Sequence, residues 1–277
     1  MSNLYCKYKS LINKEGFVPA TKKCMKFVTK HFRYLLEKKY LYKNDWYNSL
    51  IIKYNSKWYR YRHRADPYKI IFISAADIQF VTGRGPYPGR YKWQDSGLIQ
   101  GGDWDLNNIK VETIPVVKCL INRFKHNKMW EETEFYQNQL EIIQQGGVAW
   151  RGVQTKQDLV SLTEYYDEVY YNIRENGYMT KKELIQKGIE NKTSPWSEYK
   201  EIAVDISRSG EFLFVDGRHR LAIAKSLGIE RLPVRVVARH SQWQKIRDKV
   251  ISNKRKNNKN NEIKEKYLNH PDIKSEI

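Results

Sequence analysis

The chain has 277 residues, 40% of them hydrophobic and 29% charged, with a formal net charge of +19. This balance excludes a disordered chain and fits one large domain, or a core domain with appendages. No apolar run approaches the roughly 18–20 residues of a membrane helix. The first seven residues lack the apolar core of a secretory signal. The cysteines, Cys6, Cys24 and Cys119, have no metal-ligand spacing, and an odd number suits a reducing compartment, so a cytoplasmic location is expected.

Charge is concentrated at the start. Residues 1–65 hold 16 Lys and Arg against three acids (Glu15, Glu37, Asp45), so about +13 of the +19 lies there and about +6 is left for the rest. Such a field attracts a polyanion, whether nucleic acid, anionic lipid or acidic glycan, or reflects lysine-rich composition alone. Within this basic, aromatic extension, Thr21–Tyr42 places Met25, Val28, Phe32, Leu35 and Leu36 at helical spacing. Leu50–Tyr54 and Trp58–Arg62 read as two strands of a hairpin.

Asp66-Pro67 marks the entry to a core predicted over 66–246. Lys69–Ile73 reads as a buried strand followed by a short turn at Ala75–Ile78, and Gly83–Arg90 as a loop. Gly97–Asp105 also reads as a loop, because two glycines before Asp103-Trp104-Asp105 suit neither helix nor strand. Its two carboxylates could share a cavity with Trp104 stacked on a base, or the triplet is a turn with Trp104 as a core plug. A helical insertion is expected at about 114–195, with helices from Pro115, over Glu131–Gln145, and behind Thr155. The last carries Leu159, Leu162, Tyr166, Val169 and Ile173 on one face, and Asn176-Gly177 stops it.

The closing unit reads strand (Ile202–Ile206), turn, strand (Phe212–Val215), helix (His219–Leu227) and strand (Pro233–Arg239), giving an α+β fold with a mixed sheet. Residues 247–277 read as a Lys/Asn-rich tail. A buried strand ending in Asp216-Gly217 and followed at once by a helix brings unpaired amides and a helix dipole to one point, which suits phosphate. Arg218, His219 and Arg220 add donors, and an arginine fork matches phosphate oxygens. The plainer alternative has Asp216 capping the helix and the arginines pairing with acids.

The segment Val215–Ala224, with Leu227-Gly228 and Leu232–Val236, resembles the core of the ParB N-terminal/sulfiredoxin superfamily. The resemblance is strong over about 198–240 and weaker over 68–105. It implies a ParB/sulfiredoxin-like core whose Gly-x-x-Arg box holds nucleotide phosphates, ATP or CTP. Arg218 stands where sulfiredoxins carry their reactive cysteine, so that reduction is not implied. Too few residues follow Arg239 for the DNA-reading half of the partitioning proteins. Asp216–Arg220 is most similar to the free-serine kinases. The expectation is therefore an ATP-dependent phosphotransferase acting on a hydroxyl-bearing small molecule or glycan, with Mg²⁺. Gly217, Arg218, His219, Arg220 and Arg235 would hold the nucleotide. Asp103, Asp105, Glu112 or Asp216 would serve the acceptor, and Asp205 or Asp216 the metal. The alternative is a nucleotide-gated nucleic-acid-binding protein using residues 1–65.

Overall fold

A computed structural model describes residues 60–84, 95–192, 197–255, 265–274 and 276. The helix expected over 21–42, most of the hairpin over 50–62 and the greater part of the 83–90 loop lie outside the described residues.

A six-stranded mixed sheet forms the centre, in the order β1-β6-β4-β5-β2, with β3 beside the far half of β6. β1 is Ile70–Ile73, β2 Ile78–Val81, β3 Leu98–Gln100, β4 Ile202–Ile206, β5 Phe212–Asp216 and β6 Leu232–His240. All nine residues of β6 are buried, because it has neighbours along both edges. β6 runs antiparallel to β1 and parallel to β3 and β4, while β5 runs antiparallel to β4 and parallel to β2. The α+β reading therefore holds. Two strands had been missed. The turn after β1 (Ala75–Asp77, capped by Ser74) leads into β2, which borders β5. Leu98–Gln100, read as loop, is β3, its Ile99 aligned with Arg239 and buried. The glycines that argued against a strand lie at its ends.

The helices are α1 (Pro115–Lys125), α2 (Glu134–Gln144), α3 (Lys156–Asn176), α4 (Lys181–Gln186), α5 (Arg218–Ser226), α6 (Ser241–Arg255), α7 (Glu265–Leu268) and α8 (Pro271–Lys274). α5 and α1 cover one sheet face, joining Leu221, Ile223, Val117 and Leu120 to Val204, Phe214, Val234 and Val236 in one core. α3 follows its sequence signals. Thr155 Oγ1 accepts from Asp158 N at 3.1 Å and donates to Asp158 Oδ2 at 2.7 Å, and Gly177 ends the helix at φ 77°. α2 begins later than Glu131, because Thr133 caps it by accepting from Tyr136 N and leaves Trp130–Glu132 as a separate 3-10 turn. No helix among the described residues is long and apolar enough to cross a membrane.

The tail expectation for 247–277 fails over its described parts. α6 continues to Arg255 with Arg247, Val250 and Ile251 buried, and α8 returns Asp272 and Ile273 to the core. Apolar burial of Val250, Ile251 and Ile273 and a buried ion cluster hold these segments. Asp272 accepts from Arg239 Nη2 at 2.5 Å and from Trp243 Nε1 at 3.0 Å, and lies 3.5 Å from Arg247 Nε.

Candidate functional site

β5 delivers four buried apolar residues and then the exposed Asp216. Gly217 adopts φ 98°, ψ 30°, a left-handed turn. A Cβ there would stand 3.2 Å from Ile202 Cα and 3.1 Å from its Cγ1, so this glycine is required by the backbone and by the start of β4. Asp216 Oδ1 accepts from Gly217 N at 2.7 Å, one residue short of the helix, and so leaves the first helical amides alone. No side chain of Gly217 caps α5, and the first intrahelical bond runs from Leu221 N to Gly217 O. The amides of Arg218, His219 and Arg220 thus belong to an uncapped helix start, where partial positive charge gathers.

His219 defines the next layer. Its ring lies 5.3 Å from Trp150 and 5.2 Å from Tyr166, which themselves stack at 5.0 Å. Burial, reinforced by the charges of Arg218, Arg151 and Arg220, pushes its pKa down to about 3, so the imidazole is neutral at pH 7. Its Nε2 is buried and has no hydrogen-bond partner among the described residues. Arg151 donates through Nη1 to Tyr166 Oη at 3.0 Å from a backbone held at φ 59°, a region few non-glycine residues occupy. Among the described residues no carboxylate forms a salt bridge with Arg218 or Arg151. The result is an electropositive helix start with one buried, unsatisfied ring nitrogen beneath it. Arg151, Trp150 and Tyr166 were not predicted as site residues. Tyr166 was read only as core, and nothing in a linear sequence stacks residue 150 on residue 219.

The other predicted residues go elsewhere. Arg220 is taken up elsewhere, donating to Lys200 O at 2.7 Å and to the buried Glu201 at 3.3 Å. Arg235 is aligned with Ala203, which is aligned with Asp216, so it lies two strand spacings away, about 10 Å. It is fully buried, and desolvation lowers its guanidinium to about 10. Arg239 does not share its face. Val204 aligns with Val236 but Ile206 with Arg239, so a bulge turns Arg239 to the opposite side.

Asp205 serves that bulge. It accepts from Ala238 N at 2.9 Å, Thr82 Oγ1 at 2.7 Å and Arg84 at 2.7 and 3.1 Å, and is fully buried. With its lone pairs so occupied it does not suit a metal ligand. Asp103 and Asp105 sit past the C-terminal end of β3, at the sheet edge opposite Asp216. Arg208 there donates 2.7 Å bonds to both, and these bonds hold the Asp105 carboxyl below its ordinary range against burial. Trp104 is a core plug, 8% exposed and bonded to Gln100 O. Glu112 meets Lys225 at 3.5 Å, near the C-terminal end of α5, about 10 Å along the helix from Arg218. Of the five predicted acids only Asp216 stands at the turn. Among the described residues no cluster of three His, Cys, Asp or Glu forms a metal cage. Compared with protein-family models, curated proteins and solved structures, the chain matches none.

Proposed function

We propose that the protein binds a nucleotide through its phosphates at the Asp216–His219 turn. The observation that carries this is an uncapped helix start beside Arg218 and Arg151, neither of which forms a salt bridge among the described residues, with the neutral His219 buried beneath. Phosphate oxygens would accept from the first α5 amides and from the Arg218 fork, with Arg151 alongside. A neutral imidazole beneath them adds no charge that would have to be desolvated. The arrangement addresses phosphate and not the base, so ATP and CTP satisfy it equally.

A phosphotransferase reading rests on Asp216. Exposed, with one oxygen on Gly217 N, it keeps its other oxygen for an acceptor hydroxyl. In transfer the acceptor oxygen would bond the terminal phosphorus, the bridging P–O bond would break, and the hydroxyl proton would pass to Asp216. Mg²⁺ fits as a companion of the nucleotide, held mainly by phosphate oxygens and water, and would supply charge neutralisation.

The test is calorimetric titration with ATP, CTP and tripolyphosphate, with and without Mg²⁺. Binding is expected, and Arg218→Ala and Arg151→Ala should each weaken it about tenfold, the loss of one charge-assisted bond. No binding by any of the three at millimolar concentration, or binding indifferent to both substitutions, would overturn the proposal. The +13 on residues 1–65 supports a second reading, nucleotide-gated nucleic-acid binding. It predicts duplex retention that depends on nucleotide and falls steeply with salt.

A further inference from the structure

A cavity of about 350 Å³ opens between α3 and α4. Its size is at the small end of ligand pockets. Val169 and Ile173 of α3 and Leu184 of α4 form an apolar floor that the fold leaves half-buried. Tyr165 and Ile189 stand at the rim, 53% and 57% exposed. Apolar walls around an unfilled space, with large apolar side chains at the opening, are what an apolar ligand body would cover.

The polar lining of the cavity is Arg220 with Lys181, Glu168, Glu190 and Asn172. The Arg220 guanidinium spends one donor on Lys200 O and one on Glu201, and its side chain is 28% exposed. A guanidinium has five N–H donors, so three remain. Glu201 beneath is almost fully buried, and burial raises its pKa against the pull of Lys181 and Arg220. Lys181, the second cation of the lining, is paired with Glu190. Tyr178, also in the lining, has no hydrogen bond of standard geometry among the described residues, and Arg220 is its charged neighbour.

We infer that this cavity binds a small carboxylate with an apolar body, the carboxylate on the spare donors of Arg220 and the body on Val169, Ile173 and Leu184. The site goes beyond the nucleotide reading and does not depend on it. The two sites draw on consecutive residues: Arg220 follows His219 in α5, and Tyr165 of the cavity lining touches Tyr166 beside His219 at 5.3 Å between ring centres.

The probe is 4-ethylbenzoate, with 4-ethylbenzamide as its neutral isostere, measured by ligand-observed NMR on the full chain. The carboxylate is expected to bind at least tenfold tighter than the amide. Leu184→Trp, which fills the cavity, should abolish binding. Because that change also alters the packing of α4, Ile189→Trp at the exposed rim is measured beside it and should weaken binding at least fivefold. The paired change Arg220→Met with Glu201→Gln removes charge without stranding a buried carboxylate, and should erase the preference for the acid. Arg218→Ala should leave benzoate binding unchanged while weakening nucleotide binding, which separates failure of one site from failure of the other. Absence of benzoate binding to the folded wild type, equal binding of acid and amide, or binding that survives both tryptophans would overturn the inference.

Discussion

Replacing Asp272 by Asn removes one charge from a site that holds three charged groups. Asp272 is fully buried; Arg239 and Arg247 are 5% and 0% exposed. Arg239 loses its counter-charge altogether, since its described bonds from Nε and Nη2 all go to Asp272. Arg247 keeps Glu276, at 3.1 Å, and the carbonyl of His63. Removing one partner of a buried pair costs about 3–5 kcal/mol, because the desolvated survivor stays behind. Asparagine keeps one acceptor oxygen, which places the expected loss near 3 kcal/mol. At roughly 2–4 °C per kcal/mol for a domain of this size, Tm should fall by about 6–12 °C. Thermal melts followed by circular dichroism, with urea unfolding alongside, provide the assay. A change within about 0.5 kcal/mol, the range of a surface substitution, would refute the docking of α8. The sign in acid follows. The Asp272 carboxyl is held well below its ordinary range by Arg239 and Arg247, against burial. Its contribution is complete above the unfolded pKa of about 4, and is lost as pH falls from there through the folded value.

His219 has the opposite chemistry and the same direction. Its folded pKa of about 3 lies below the unfolded value near 6.5, so the unfolded chain takes the proton first and stability falls between those limits, by up to about 2 kcal/mol at pH 5. Urea unfolding of His219→Gln at pH 7.5 and pH 5 should show a shallower acid loss, and an unchanged slope would contradict the buried neutral ring. Gly217→Ala combines a left-handed φ with a contact at 3.2 Å to backbone, and should cost about 2 kcal/mol in a denaturant titration; a neutral result would mean that the turn relaxes freely. Asp103→Asn and Glu112→Gln, remote from the turn, should leave nucleotide affinity within twofold by calorimetry, and a tenfold loss from either would restore it to the site.

The parts of the fold that were legible are those written in local periodicity and capping. Ile202–Ile206 appears as a strand with the predicted bounds. α3 lies between the predicted Thr155 cap and Gly177 stop. The turn at Asp216-Gly217 was legible as well, the glycine allowing the left-handed exit, and the structure adds the close approach of Ile202. What stayed hidden depends on pairing. Counting residues along β6 puts Arg235 and Arg239 on one face, and only the alignment with β4 reveals the bulge between them. β3 was hidden for a related reason, because three residues between glycines make a strand only when β6 lies alongside.

Charged residues show the deepest limit. A reading of sequence can allow that arginines pair with acids, but not which acids, and this fold uses acids of its own as partners for many of them. Arg84 is held by Asp205, Arg239 by Asp272, Arg220 by Glu201 and Arg208 by Asp103 and Asp105. Only the Arg220–Glu201 pair withdraws a cation that the motif assigned to phosphate, while the Arg84 and Arg208 pairs withdraw predicted acids. The motif residues that keep their donors are Arg218 and His219, and the fold adds Arg151 from sixty-odd residues upstream. A ligand anion would then be the counter-charge that this helix start lacks, as Asp272 is the one that Arg239 has. Removing Asp272 should therefore weaken folding, whereas removing Arg218 should spare folding and weaken only the binding of phosphate.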